Sequence, residues 1–166
     1  MEWVPVEDAD DGALFWVLRR PAPLAGMPFP DERFSWQALW DRGVRSVVRL
    51  EAAGTYHCAP LEIVHTAQLE DLYHGDSPVV PENERRLYYE AARVAAERLN
   101  RGAGVVIHCR GGRGRTGTVI GCLLRTLGVP AEHAITEIRA RRPAWPEAQW
   151  QEDVVRDWDG RPFARS

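Results

Sequence analysis

The chain has few of the features that define specialised classes of protein. Its 166 residues include only three cysteines, Cys58, Cys109 and Cys122, at unrelated spacings. Because the number is odd and no pair forms a C-x-x-C motif, the pattern argues against a disulfide framework and against a zinc site. We therefore expect the protein to reside in a reducing cytoplasm.

Excess basic charge and long apolar runs are also lacking. The 21 Lys and Arg residues are outnumbered by 24 Asp and Glu residues, for a formal net charge of -3, which argues against a nucleic-acid partner that needs a broad basic surface. The first residues, MEWVPVEDADDG, lack the basic and apolar regions of a signal peptide. No apolar run approaches the roughly 20 residues that a membrane span needs. The expected protein is a cytoplasmic monomer with no membrane span and no nucleic-acid partner.

The apolar pattern predicts alternating strands and helices. The length fits one compact domain over residues 1–166, since domains commonly have about 100–150 residues. Strands are predicted at 13–18, 44–50, 62–69 and 105–107, helices are predicted at 36–42, 81–100, 116–127, 131–141 and 148–158, and the Pro-rich segment 21–30 is predicted to be a loop. This alternation predicts an α/β fold with a central, mostly parallel sheet of four to five strands flanked by helices.

The segment 105–121, VVIHCRGGRGRTGTVIG, joins a predicted strand to a predicted helix and allows two interpretations. Gly112, Gly114 and Gly117 form G-x-G-x-x-G, which is typical of dinucleotide-binding loops when an acidic residue follows about 20 positions later. Glu137 has that spacing, but it lies inside a predicted helix and no complete second half of a Rossmann fold follows. This glycine motif alone is a weak signal, so we favour the other interpretation.

The other interpretation starts from Cys109 at the end of the predicted strand. Backbone N–H groups that converge ahead of a helix N-terminus form an electropositive nest that favours a thiolate and cradles a phosphate. The planar guanidinium of Arg115 suits two-point contact with phosphate oxygens. His108 either braces the loop through a hydrogen bond or is a satisfied structural histidine. The predicted substrate-binding residues are Arg110, Gly111, Gly112, Arg113, Gly114, Arg115 and Thr116.

Residues 108–117 match the pattern H-C-x5-R-[ST], which resembles the signature of the cysteine-dependent protein tyrosine phosphatase superfamily. The chain resembles the small dual-specificity branch over most of its length. The resemblance implies that Cys109 attacks phosphorus, that Arg115 binds the phosphoryl oxygens, and that an aspartate protonates the leaving oxygen and later activates water. It implies no metal and no other cofactor. The expected enzyme is a metal-independent phosphomonoesterase that works through a cysteinyl-phosphate intermediate.

Two aspartates, Asp71 and Asp76, are candidates for the general acid. The family carries this residue on a loop before the long helix that precedes the signature, and here that loop is EDLYHGDSPVVP. Asp71 ends the preceding strand, as in the family pattern, whereas Asp76 lies 33 residues before Cys109 and fits the family spacing better. Because a loop absorbs an insertion at little entropic cost, we favour Asp71 and keep Asp76 as the alternative.

A weaker match concerns water in the second step. Gln151 follows Pro143 by eight positions and resembles the family glutamine that helps to place this water. Gln149 is an alternative candidate for this role. Both glutamines could instead have no role beyond capping the last helix or lying on its surface.

The substrate remains open at this stage. Arg110 and Arg113 resemble basic residues in the loops of phosphoinositide phosphatases, but they could also face solvent or pair with Glu51 or Glu70. Small bacterial-type relatives with a similar loop are generally protein phosphatases. The leading assignment is therefore phosphotyrosine, with phosphoserine and phosphothreonine, in a phosphorylated protein or a small phosphomonoester. The alternatives are a phosphoinositide or inositol-phosphate phosphatase and a non-catalytic phosphate- or dinucleotide-binding module.

Overall fold

The computed structural model describes residues 3–6, 10–11 and 13–158, so the ends of the predicted domain, residues 1–166, lie outside the described residues. The described part contains one seven-stranded sheet with helices on both faces. The strands are β1 (Val4–Pro5), β2 (Asp10–Asp11), β3 (Leu14–Arg20), β4 (Leu24–Met27), β5 (Val44–Arg49), β6 (Glu62–Thr66) and β7 (Gly104–His108). The helices are α1 (Trp36–Asp41), α2 (Pro81–Asn100), α3 (Gly114–Thr126), α4 (Ala131–Arg141) and α5 (Gln149–Asp157).

The sheet has a parallel half and an antiparallel half. Its order is β1-β3-β4-β7-β5-β6, and β2 also pairs with β3. The strands β4, β7, β5 and β6 run parallel, whereas β1, β2 and β4 are antiparallel to β3. The predicted α/β class with a mostly parallel central sheet is confirmed, and the structure adds three strands, β1, β2 and β4, to the four located from the sequence.

Strand β4 lies in the segment 21–30, for which the loop prediction is wrong. Prolines bracket its four residues, so local signals indicate a turn, yet all four are buried and pair in parallel with β7. Gly26 permits this packing because an added Cβ would lie 2.3 Å from Cζ of Phe15. Burial against neighbouring strands therefore outweighs the local preference for a loop.

Two apolar cores lie on opposite faces of the sheet. The larger core packs α2, α3, α4 and α5 against one face, and alternate strand residues such as Val105 and Ile107 point into it. The smaller core lies on the α1 side of the sheet. It contains Val106, which lies between Val105 and Ile107 in the sequence. This alternation is what a sheet covered on both faces requires.

Local end signals explain the helix boundaries. The hydroxyl of Ser35 accepts the N–H of Ala38 at 3.2 Å and caps α1. Pro81 is the first residue of α2, whose predicted bounds are confirmed. Helix α3 begins at Gly114, two residues before the predicted start, because the glycine-rich loop turns directly into it. In the described part of the chain, no helix has both the length and the apolar character needed to cross a membrane.

Candidate active site

Cys109 follows β7 and precedes α3, at the carboxyl end of the parallel strands. Its side chain is 2% exposed, and its Sγ accepts two hydrogen bonds. The backbone N–H of Gly112 donates at 3.2 Å and the hydroxyl of Thr116 donates at 3.0 Å. Both donors point at the sulfur, which is the arrangement of an anion-binding loop.

Gly112 has a backbone geometry that glycine supplies at the lowest cost. Its φ is +72°, and an added Cβ would lie 2.5 Å from the nitrogen of Pro28 and 2.6 Å from the carbonyl carbon of Met27. These are backbone atoms, so a side chain here would displace the loop that holds Cys109. At Gly111 an added Cβ would meet open space, so no steric contact requires glycine at this position.

The guanidinium of Arg115 is buried and held from several sides. Its Nη1 donates to Oε2 of Glu51 at 3.0 Å and to the carbonyls of Leu50 and Leu69 at 3.4 and 3.2 Å. Its Nη2 lies 3.9 Å from Oδ1 of Asp71. These contacts orient the planar group in advance, which is the condition for binding an oxyanion without reorganisation.

Arg115 and Glu51 stabilise each other's charges. Burial by itself would raise the pKa of Glu51, but the hydrogen bond and charge of Arg115 outweigh it and hold the pKa below its ordinary value. Burial opposes the charge on Arg115 too, whereas the sulfur of Cys109 and the carboxylate of Glu51 raise its pKa above the ordinary value. Arg115 therefore remains cationic beside the cysteine.

The structure places the two candidate aspartates differently. Asp71 lies beside Arg115, and 48% of its side chain is exposed to solvent, as a group that meets a substrate must be. Asp76 makes a turn: its Oδ2 accepts the backbone N–H of Tyr73 at 3.0 Å, and its own N–H donates to the carbonyl of Tyr73 at 2.9 Å. Of the two carboxylates, the structure brings that of Asp71 to Arg115 and uses that of Asp76 to shape the loop. The exposed His74 lies in this same turn.

His108 braces the backbone beside the cysteine. Its ring is fully buried, and its Nδ1 lies 3.2 Å from the carbonyl oxygen of Cys109 while its Nε2 lies 2.7 Å from the hydroxyl of Tyr56. Since a carbonyl only accepts, Nδ1 donates and Nε2 accepts from the tyrosine. Burial, reinforced by neighbouring arginine charges, lowers the pKa of His108 to about 4. The ring is therefore neutral and combines the bracing role with that of a satisfied structural histidine.

This shift predicts a pH dependence of stability. The pKa of His108 falls from 6.5 to about 4 on folding, so the unfolded chain takes up a proton between these values while the folded chain does not. The free energy of unfolding should therefore decrease as the pH falls from 6.5 to 4, by about 3 kcal/mol from this one group. Denaturant titrations at several pH values should show a shallower decrease for His108→Gln than for the wild type. The matched control is His57→Gln, which changes an exposed histidine. Equal pH dependence in the wild type and His108→Gln would contradict the assignment.

Two side chains near the start of α5 reach the beginning of α3. Oε1 of Glu147 accepts the N–H of Gly114 at 3.0 Å. Gln151 is buried, and its Oε1 accepts the N–H of Glu147 at 2.9 Å. Its Nε2 has no hydrogen-bond partner among the described residues and would lie 2.9 Å from a Cβ added to Gly114. Gln149 instead donates to carboxylates of its own helix, so Gln151 is the glutamine beside the loop.

Arg110 and Arg113 are the exposed side chains of the loop. The guanidinium of Arg110 lies 4.4 Å from the ring centroid of Phe29, a cation–π distance, and Arg113 immediately precedes α3. The two acids considered as their partners bind other groups: Glu51 binds Arg115, and Glu70 accepts a backbone N–H of its own loop.

The other two cysteines are buried free thiols away from the loop. Cys58 packs in the α1-side core and Cys122 lies inside α3. Burial raises the pKa of both thiols, so neither is prepared as a nucleophile.

Four side chains contact the site residues in ways that the sequence did not predict: Glu51, Tyr56, Tyr73 and Glu147. Each lies in a loop, and no sequence motif includes these four side chains. Acidic residues and tyrosines are common in surface loops. The sequence therefore contains no pattern that distinguishes these four from other loop residues.

A buried cysteine after a central parallel strand, with a fixed arginine six residues later at the start of a helix, defines the class of cysteine-based phosphatases of the tyrosine and dual-specificity type. Residues 14–155 match the family model "PTP-SAK: Swiss Army Knife protein, DSP-PTPase phosphatase domain". The chain belongs to this family, which confirms the resemblance stated from the sequence.

Solved structures of similar fold differ in what they bind. Tk-PTP in the active form is 28% identical, with 84% of this chain and 92% of that chain covered and a TM-score of 0.63. PTPMT1 in complex with PI(5)P is 18% identical, with 81% and 88% covered and a TM-score of 0.62. P. aeruginosa TpbA in complex with pTyr is 17% identical, with 82% and 80% covered and a TM-score of 0.60. The last two similarities concern the fold alone, and the fold accommodates both kinds of phosphate ester.

The acidic residue that the dinucleotide interpretation requires, Glu137, is engaged elsewhere in the structure. Glu137 lies inside α4, where its Oε2 accepts from Nη1 of Arg141 at 2.6 Å. It is therefore engaged on its own helix, and family membership favours phosphatase chemistry for the loop.

Proposed function

We propose that this phosphatase hydrolyses phosphotyrosine, and also phosphoserine and phosphothreonine, in proteins through a cysteinyl-phosphate intermediate. The observation that carries the proposal is the convergence of three groups. The sulfur of Cys109 accepts two hydrogen bonds, Arg115 is fixed in the same loop, and Asp71 lies 3.9 Å from Arg115. A nucleophile, an oxyanion binder and an acid are the parts that phosphoryl transfer requires.

In the first step, the thiolate of Cys109 attacks phosphorus. A P–S bond forms as the P–O bond to the leaving group breaks, and Asp71 gives its proton to the leaving oxygen. Arg115 and the backbone N–H groups of the loop bind the three remaining oxygens and the charge that develops on them. The Gly114 N–H donates to Oε1 of Glu147, so a phosphate that bound this N–H would compete with that carboxylate.

In the second step, water attacks phosphorus of the cysteinyl phosphate. Asp71, now a carboxylate, accepts a proton from this water, the P–S bond breaks and inorganic phosphate leaves. The thiolate that reforms is stabilised by the hydroxyl of Thr116, which donates to Sγ at 3.0 Å. The free Nε2 donor of Gln151 beside Gly114 supports a role for this side chain in orienting the water.

The exposed Arg110 and Arg113 favour a second candidate, the hydrolysis of phosphoinositides or inositol phosphates. Their charges would attract substrates with several phosphates. We rank this candidate second because the guanidinium of Arg110 packs over Phe29, and a cation engaged with a ring is less available to an additional phosphate. The third candidate, a phosphate-binding module without turnover, leaves Asp71 without a role.

A substrate comparison tests the assignment. We expect kcat/KM for phosphotyrosine peptides to exceed that for inositol phosphates and for phosphoinositides in mixed micelles by about tenfold or more. The additional phosphates of an inositol substrate would meet only exposed arginines, and such surface ion pairs add little binding free energy. The measurement is phosphate release at matched ionic strength. Arg110→Ala and Arg113→Ala together should change the peptide value by less than about threefold.

Arg101→Ala is the matched charge control, because Arg101 is an exposed arginine at the end of α2. A higher kcat/KM for inositol phosphates or phosphoinositides, lost in the Arg110 and Arg113 variant but kept in Arg101→Ala, would establish the second candidate. Tight phosphate binding without release from any substrate would establish the third.

A further inference from the structure

The loop that carries Asp71 is closed by its own side chains. Oε2 of Glu70 accepts the backbone N–H of Val79 at 3.0 Å, which ties the two ends of the loop together. Within the loop, the backbone N–H of Tyr73 donates to Oδ2 of Asp76 at 3.0 Å, and the backbone N–H of Asp76 donates to the carbonyl of Tyr73 at 2.9 Å. The backbone of Tyr73 is therefore held in one place relative to the strand end that precedes it.

Tyr73 uses this position to contact the general-acid candidate. Its hydroxyl donates to Oδ2 of Asp71 at 3.0 Å, while Oδ1 of the same carboxylate faces Nη2 of Arg115. The Tyr73 side chain is 61% exposed, so packing in a core does not account for its presence. The bond to Asp71 also raises the pKa of Tyr73, and the hydroxyl consequently keeps its proton and remains a donor at neutral pH.

The two oxygens of Asp71 thus have different surroundings. A carboxylic acid carries its proton on one oxygen and accepts hydrogen bonds best on the other. Nη2 of Arg115 lies 3.9 Å from Oδ1, beyond hydrogen-bond distance, whereas the Tyr73 hydroxyl bonds Oδ2 at 3.0 Å. The hydrogen bond on Oδ2 therefore directs the acidic proton to Oδ1, which is the oxygen on the Arg115 side. This is the side on which the leaving oxygen of a phosphate bound by Arg115 must lie.

We propose that Tyr73 is a positioning residue for the general acid: its hydroxyl holds Oδ2 of Asp71 so that the proton is delivered from Oδ1 to the leaving oxygen. The inference rests on the proposed function, in which Asp71 is that acid. In the first step the proton passes from Oδ1 to the leaving oxygen and Tyr73 keeps its own proton. In the second step Oδ1 accepts the proton of the attacking water, so the hydroxyl of Tyr73 is never consumed.

Tyr73→Phe tests the proposal because it removes one oxygen from an exposed side chain and leaves the ring. We expect kcat/KM to fall by about threefold to tenfold for phenyl phosphate and phosphotyrosine peptides, whose leaving groups need protonation. For p-nitrophenyl phosphate, whose leaving group departs as a stable anion, we expect a change below about twofold. In an Asp71→Asn background, Tyr73→Phe should cause no further loss, since the two residues act as one unit.

Val79→Ala is the matched control, because it trims another exposed apolar side chain of the same loop that cannot donate a hydrogen bond. It should leave both substrates unchanged. Unaltered kinetics in Tyr73→Phe, an equal loss on both substrates, or a full additional loss in the Asp71→Asn background would each overturn the role of Tyr73. Asp71→Asn alone reports separately on the acid: if its loss does not depend on the leaving group, Asp71 is not the acid and the role of Tyr73 falls, whereas hydrolysis through Cys109 is tested by Cys109→Ser.

Discussion

Changing Cys109 to serine should reduce kcat/KM for a phosphotyrosine peptide by about 10⁴-fold or more. A serine hydroxyl is a far weaker nucleophile than a thiolate at neutral pH, and the groups that contact Sγ, the Gly112 N–H and the Thr116 hydroxyl, are donors that stabilise an anion without removing a proton from an alcohol. Both donors can still bind a serine oxygen, so the loop should persist. Initial rates of phosphate release measure the loss, and calorimetric titration should give a Kd for the peptide close to the wild-type KM.

Cys58→Ser provides the matched control, since Cys58 is also a buried free thiol but packs in the core on the α1 side. It should retain turnover within about threefold of the wild type if its fold is kept, as circular dichroism would report. More than a tenth of wild-type activity in Cys109→Ser would contradict the nucleophile assignment. Loss of activity in both variants to the same extent would indicate that thiols matter here only for packing.

Asp71→Asn should lower kcat/KM for phosphotyrosine peptides by about 10²–10⁴-fold, whereas Asp76→Asn should stay within about tenfold of the wild type. The asparagine at 71 keeps the size of the side chain and loses the transferable proton. At 76, an amide oxygen can still accept the N–H of Tyr73, which is the contact that the Asp76 carboxylate makes. Parallel kinetics on phosphotyrosine peptide and p-nitrophenyl phosphate separate the two variants, because a missing acid slows departure of the poorer leaving group more.

The folded state of each aspartate variant is checked by thermal unfolding, which should show similar Tm values for both. A larger and leaving-group-dependent loss in Asp76→Asn than in Asp71→Asn would reverse the assignment and support the spacing argument from the sequence. Losses of equal size on both substrates would mean that the loop shapes the pocket without transferring a proton.

The secondary structure that local signals specify was predictable. The amphipathic stripe of α2 and the proline at its start determine its bounds, and Ser35 marks the start of α1. Strand β4 was not predictable because its glycine and the prolines that flank it favour a turn, and only pairing with β7 and packing of Phe15 against Gly26 make it a strand. The three added strands are all short, and so have little sequence pattern of their own.

The same distinction applies within the site. The contacts to the sulfur of Cys109 come from residues three and seven positions along the chain, so a short motif is enough to suggest them. The partners of Arg115 at Glu51 and Leu69 lie 64 and 46 positions away. Such contacts depend on how the ends of β5 and β6 meet the loop between β7 and α3 in space, and no local pattern encodes that meeting.

By itself, then, the sequence indicated the reaction type, because residues 108–117 match a phosphatase signature in which a cysteine, a glycine-rich loop and an arginine within seven residues form an anion site at a helix start. Only the tertiary structure decided which aspartate approaches Arg115 and what holds it there. Asp71 and Asp76 share one loop, and the difference between them arises from where the sheet edge ends and how Tyr73 folds back between the two carboxylates. A short motif specifies chemistry through neighbours in the chain, whereas the placement of an acid depends on elements that meet only after folding.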